Sequence, residues 1–166
     1  GIFFKDALES VRDHIRGVAL SFLLTGALLT ATRWAPSVPL NGVPRFPIPA
    51  WLFAVILGVA QGIAILPGVS RSGSTISIAL LLGLGRVAAV EYSFLMSIPA
   101  ILGACLLEFR EAEFNVPWES ALTGFAGSLA ASVIFLWVLV WIVRKGHFHQ
   151  FAYYVIPLGL FLLFYT

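Results

Sequence analysis

Charged side chains are scarce: Asp, Glu, Lys and Arg together make up 11% of the 166 residues, against about 25% in an ordinary soluble domain. Hydrophobic residues reach 60%, where about 45–50% is usual, and the mean hydropathy is +0.97. Too few polar side chains remain to cover a water-exposed surface, so lipid must cover much of it. The net charge is only +2 with a sequence pI of about 9.0, a surplus too small and too dispersed for a nucleic-acid footprint. Cysteine occurs once, as Cys105 in the apolar run ILGACLLE. That excludes an intrachain disulfide and a cysteine-rich metal site, and leaves a small packing residue inside a helix. A cleavable signal is also lacking, because GIFFKDALESVRDHIRG mixes apolar and charged residues without an apolar core before a small-residue cleavage site. Gly1 stands where an initiator methionine would, so residue 1 is expected not to be the native start.

What is present is a series of apolar runs. Residues 1–15 read as the end of a preceding helix or loop. Residues 16–34, with the apolar run Val18 to Trp34 and Arg16 and Arg33 near its ends, are predicted to span a membrane, which takes about twenty residues. The proline-rich APSVPLNGVPRFPIP rules out helix and reads as an exposed loop. Within residues 50–86, an apolar piece from Ala50 to Leu66 is stopped by Pro67-Gly68. The polar run SRSGST follows, and a second apolar piece, Ile76 to Leu84, ends at Gly85-Arg86. The second piece is too short to span, so the pair reads as a re-entrant hairpin with PGVSRSG at its tip. Non-helical backbone at that depth must be buried in protein or line a watery cavity. The alternative is that Ala50 to Leu66 crosses fully and SRSG lies at the far surface. Further spans are predicted over 87–107 (with Glu91 and Pro99), 120–143 and 151–166, with EFREAEFNVPWE and HFHQ as connecting loops. The expected fold is one all-α polytopic membrane domain over 1–166: four transmembrane helices plus one re-entrant helical hairpin.

Positive charge suggests an orientation. Placing Arg33, Arg45, Arg86, Arg144 and Lys145 in the cytoplasm makes every crossing consistent and leaves Lys5, Arg12, Arg16 and Arg110 outside. The inner loops then contain no acid, while the outer ones hold seven of the eight carboxylates. The C-terminus is expected to face outward, with the hairpin entering from the cytoplasmic side.

The chemistry concentrates in GVAQGIAILPGVSRSGSTIS, residues 58 to 77. A charged arginine at bilayer depth costs roughly 2.5–3.5 kcal/mol on insertion scales and is functional by default. Arg71 has no carboxylate nearby in sequence; around it stand the hydroxyls of Ser70, Ser72, Ser74 and Thr75 and the glycines Gly68 and Gly73. Glycine lets backbone approach a ligand closely, and the helix starting just after adds free N–H groups and a positive dipole end. Together they describe an oxyanion site, and phosphate suits the arginine fork. Without Arg71 the blander reading would win, in which the hydroxyls bond neighbouring backbone and the glycines permit close helix packing. Gln61 is read as interhelical glue, or as a group orienting a phosphate or water. Glu91 is read as an interfacial salt-bridge or helix-end residue, His14 as solvated, and His147/His149 as loop residues; no metal ligand is assigned.

The run QGIAILPGVSRSGST, followed by EYSFLMSIPAILGA, closely resembles the second signature of the undecaprenyl-diphosphate phosphatase family, also called bacitracin-resistance proteins. The apolar segments after it follow that family's order. The resemblance implies a bacterial inner-membrane enzyme removing the terminal phosphate from a C55 isoprenyl diphosphate to give the carrier lipid for wall polymers. It also implies an inverted-repeat architecture, of which this chain would be half, with two hairpins meeting near the membrane centre. On that resemblance Arg71 binds the diphosphate, Ser70, Ser72 and Thr75 add hydroxyls, and Gln61 matches the polar hairpin position; Gly68, Gly73 and Ser74 complete the phosphate site. The family's glutamate-rich first signature is not present, so the chain is expected to hold the phosphate-binding half of a site and to lack its acid/base half. A divalent cation, magnesium or calcium, would take its ligands from that missing N-terminal repeat. The expected partners are the isoprenyl diphosphate lipid, the bilayer and that repeat, with a homodimer admitted and no nucleic acid. Two other readings stand beside the phosphatase: a transporter or flippase of an anionic lipid or solute, since broken helices in inverted repeats are also a transporter plan, and an inactive subunit needing a partner chain.

Overall fold

The computed structural model describes residues 15–36, 48–111 and 117–165. Residues 1–14, most of the proline-rich loop and the centre of the EFREAEFNVPWE segment therefore lie outside the described residues. Those described form six α-helices and two short 3₁₀ segments, with no strand among them. Helix α1 is Ile15–Ala31, continued by the 3₁₀ turn Thr32–Trp34; α2 is Ala50–Ile63, α3 Arg71–Leu81, α4 Arg86–Glu111 and α5 Trp118–Arg144. The 3₁₀ segment Phe148–Phe151 leads into α6, Ala152–Tyr165. Three helical stretches are long and apolar enough to cross a membrane: Ile15–Trp34, Arg86–Phe109 and Trp118–Arg144. The segments Ala50–Ile63 and Phe148–Phe164 are apolar but shorter.

α3 is the hub and packs on α1, α2 and α4. Its first three turns are mostly buried, and Ile76, Ala79 and Leu80 join Leu57 of α2, Leu29 of α1, Ala89 of α4 and Val143 of α5 in one apolar core. α1 and α6 run antiparallel at close range: Gly26 lies under Ile156, and a Cβ at Gly159 would meet Ala19 O at 3.2 Å. Small residues at such crossings let two backbones approach.

α2 and α3 form a hairpin. Phe53 near the start of α2 packs edge-on against Tyr92 of α4, while Leu80 at the end of α3 shares a cavity with Thr32 and Arg86. The end of α3 thus lies at the end of the bundle marked by Arg33. The turn, residues 64–70, reaches back along α1: Gly68 lies against Val18 and Ser21, and the Ser70 amide donates to Thr25 Oγ1 at 3.1 Å.

Two boundaries differ from expectation. α3 begins at Arg71 and not at Ile76, so the polar run is the first turn of a helix rather than a loop tip. Ser70 is its N-cap, accepting from the Gly73 amide at 3.1 Å, a cap worth about 0.5–2 kcal/mol. α4 runs through Glu111, because charge ends an apolar run without ending a helix. Cys105 is helical as read but exposed rather than packed. It sits on the C-terminal half of α4, where Leu102, Leu106 and Leu107 are exposed as well. α5 is exposed along most of its length, so the apolar side chains of Leu122, Phe125, Leu129 and Val133 cover none of the described core.

Candidate functional site

The first turn of α3 carries the sequence-predicted site. Its local geometry follows from capping: four N–H groups at a helix start have no intrahelical acceptor. The Ser70 amide is satisfied by Thr25 Oγ1 and that of Gly73 by Ser70 Oγ. Those of Arg71 and Ser72 carry no partner among the described residues and remain available to a ligand.

Ser70, Ser72 and Gly73 line a cavity of about 150 Å³ together with Thr25, roughly ten times the space a single water needs. Its other walls are apolar, from Leu29 of α1, Leu139 of α5, Phe148 and Phe151 of the second 3₁₀ segment and Val155 of α6. A few hydroxyls set among mainly aliphatic and aromatic walls suit an amphiphile. Thr25, Leu139, Phe148 and Phe151 were missed by sequence reasoning. Only Thr25 carried a signal, as a hydroxyl inside an apolar run.

Arg71 does not line this cavity. Consecutive helical residues diverge by about 100°, so making the SRSG segment helical separates side chains that a loop tip would have crowded. Arg71 as a residue is half-buried, and its guanidinium has no hydrogen bond or ion pair among the described residues, leaving five N–H donors for a ligand. No Asp or Glu occurs between Gly17 and Val90, so no carboxylate of α1, α2 or α3 competes for it.

Thr75, one turn on, is turned inward and only 1% exposed. Its hydroxyl donates to Arg71 O at 2.8 Å and lies 2.6 Å from Ser93 Oγ of α4. With the threonine proton committed to the carbonyl, Ser93 is the donor of that pair. Gln61 Nε2 donates to Met96 O at 3.2 Å, the interhelical role, while its Oε1 is buried without a partner among the described residues. Ser74 Oγ and Ser77 Oγ are in the same condition. Gly68 has φ +90° and packs on α1; it shapes the turn and does not touch the cavity. The structure thus joins Ser70, Ser72 and Gly73 in one cavity, leaves Arg71 beside it, and commits Thr75 and Gln61 to α4. Glu91 is exposed on α4. The rings of His147 and His149 stand 6.5 Å apart, and no cluster of three or more His, Cys, Asp or Glu occurs among the described residues. Two imidazoles with no third ligand among the described residues do not make a cation site by themselves.

The sequence model of the family described as "Bacitracin resistance protein BacA" matches residues 1–161. The chain belongs to this family. Among curated relatives, an undecaprenyl-diphosphatase of Treponema denticola is 39% identical over 99% of this chain and 60% of its own length. One of Methanothermobacter thermautotrophicus is 38% identical over 98% of this chain and 91% of its own length. One of Korarchaeum cryptofilum is 40% identical over 95% of this chain and 59% of its own length. The chain therefore spans about 60% of the Treponema and Korarchaeum relatives and most of the Methanothermobacter one. Within the BacA family, the apolar helices described above are those of a membrane protein.

Proposed function

We propose that this BacA-family chain takes part in hydrolysing undecaprenyl diphosphate to undecaprenyl phosphate and phosphate, supplying the carrier lipid for cell-wall polymers. The observation that carries the reading is the uncommitted Arg71 guanidinium at the start of α3, beside a mainly apolar cavity with hydroxyls in its wall. The diphosphate takes the fork of Arg71, with the free amides of Arg71 and Ser72 and the hydroxyls of Ser70 and Ser72 on its remaining oxygens. The long arginine side chain swings toward the cavity edge to meet it. The polyprenyl chain leaves along Phe148, Phe151, Leu139 and Val155.

Phosphoanhydride cleavage is largely positioning and neutralisation of charge on the transferred group. These residues supply both. Loss of charge-assisted hydrogen bonds to a buried phosphate costs about 1.5–3 kcal/mol each, so two to Arg71 account for a large share of binding. No carboxylate or histidine lines the cavity to take a proton from water or serine. On this proposal an acid-bearing element of the whole protein, a second repeat or a second copy, supplies the base, and with it the carboxylates for a magnesium or calcium ion.

We read α2–α3 as a re-entrant hairpin and α6 as the fourth crossing. Supporting this, Ser70 meets Thr25 eight residues before Arg33, about 12 Å along α1 from the arginine end, near the middle of a hydrocarbon core about 30 Å thick. We place the protein in the bacterial inner membrane with the Arg33 end cytoplasmic and the C-terminus outside. Arg33, Arg86 and Arg144 gather at one end of the bundle, which supports that orientation.

The test is phosphate release from undecaprenyl diphosphate in proteoliposomes. The chain with the family's acid-bearing half is expected to release phosphate and the Arg71→Ala version is not. The chain alone is expected to turn over at least about 100-fold more slowly, since acid–base assistance is typically worth 10²–10⁴-fold. Movement of the lipid across the bilayer without any phosphate release would favour a flippase instead.

A further inference from the structure

At the Arg33 end of the bundle lies a second cavity, of about 240 Å³. Its polar rim comes from three parts of the chain that are far apart in sequence: Arg33 from the turn after α1, Arg86 from the start of α4, and His149 from the 3₁₀ segment before α6. Leu80 and Val143 close its base. It is separate from the Ser70 cavity. Phe148 stands in the wall of both, and along α3 the positions that line them, Gly73 and Leu80, are seven residues apart, about 10 Å.

Arg33 and Arg86 are exposed, but two features set this cluster apart from ordinary interfacial arginines, which only anchor a helix. The first is the absence of counter-charge. Neither Gly17–Val90 nor Ser120–Thr166 contains a single Asp or Glu, and every residue lining the cavity falls inside those two stretches. Arg33 has no ion pair or hydrogen bond among the described residues. The second is that Arg86 is held in place. Its Nη1 donates to Arg144 O at the end of α5, at 3.3 Å, and its guanidinium lies flat on Gly146. A Cβ there would sit 2.7 to 2.9 Å from Nη2, Cζ and Nη1. Gly146 has φ +77°, so its backbone favours glycine on both counts. One N–H of Arg86 is used and the rest of the fork is left for a ligand.

Two planar forks with an imidazole between uncharged walls match the several oxygens of a phosphoryl group, which accepts from arginine in a bidentate manner. We infer that the Arg33–Arg86–His149 cavity is a second anion site that holds a phosphoryl group, borne either by an anionic phospholipid headgroup or by free phosphate. It does not depend on the proposed phosphatase activity.

The test uses the whole chain in nanodiscs and reads protection against thermal unfolding. In neutral-lipid discs inorganic phosphate is titrated; in parallel, phosphatidylglycerol is added to the disc lipid without phosphate. Protection by phosphate assigns a free anion, protection by phosphatidylglycerol assigns a headgroup, and protection by neither overturns the inference. Arg33→Gln breaks no hydrogen bond among the described residues, so it is expected to fold as wild type and weaken the protective ligand at least tenfold; Arg33→Gln/Arg86→Gln in an Arg71→Ala background should abolish protection. Lys145→Gln makes the same change in net charge at the same end, but Lys145 lies over the Trp141 ring, 4.0 Å from its centre, and not in the cavity. Arg71→Ala removes the other anion site. Both should leave the protection intact, and a loss in either equal to that of Arg33→Gln would overturn a site at this cavity.

Discussion

Replacing Gly68 with alanine should damage the hairpin out of proportion to the one methyl group added. Gly68 has φ +90°, a conformation costing an L-residue about 1–2 kcal/mol. The new Cβ would also lie 2.8 Å from Val18 O and 3.0 Å from Ser21 Cβ. The first neighbour is α1 backbone and cannot swing aside, so the turn must lift off the helix; overpacking of this kind costs about 1–3 kcal/mol. The sum is about 2–5 kcal/mol, and the shift strains the bond from Ser70 to Thr25. Gly58→Ala is the control: it lies within α2 with nothing within 4 Å of its would-be Cβ, and relief of a helix glycine gains about 0.5–1 kcal/mol. Thermal unfolding of both variants in one detergent should place Gly68→Ala below wild type by at least about 4 °C, and Gly58→Ala at or above it. Equal melting of the two would refute the close approach of the turn to α1.

Two further outcomes are expected. Thr75→Val removes the acceptor of Ser93 and should cost about 1–3 kcal/mol in denaturant unfolding. Thr75→Val/Ser93→Ala should recover part of that loss, and strictly additive losses would show that the pair is not coupled. In a Cys105→Ser background, needed because Cys105 is exposed, an impermeant maleimide on spheroplasts should label a cysteine at Phe164 but not one at Gln150. The reverse pattern would invert the proposed orientation.

Much of this was legible in the sequence, for reasons that particular residues make clear. Apolar run length reports what must avoid water, so α1, α4 and α5 emerged nearly whole. It is blind to helix ends set by backbone bonding. Ser70 through Thr75 read as a loop because they are polar, yet a serine followed three residues later by an amide to cap is a helix start, and Glu108 to Glu111 continue α4 despite their charge. Arg71 stood out as a cation in an acid-free stretch. The divergence of Arg71 from Ser70 and Ser72 followed only from knowing that the segment is helical. Phe148, Phe151 and Leu139 reach the cavity from elements some 70 to 80 residues away, and no local pattern announces such a meeting.

The most direct test of the central claim is equilibrium binding of radiolabelled farnesyl diphosphate, a short-chain isoprenyl diphosphate, to the chain in nanodiscs, compared with its Arg71→Ala and Arg71→Lys variants. Two charge-assisted hydrogen bonds are worth at least about 3 kcal/mol, which is roughly 100-fold in affinity. Arg71→Ala should therefore bind about 100-fold more weakly or worse, with Arg71→Lys between it and wild type because a point charge lacks the fork. Wild-type affinity in Arg71→Ala would contradict the assignment of Arg71 as the diphosphate-binding residue.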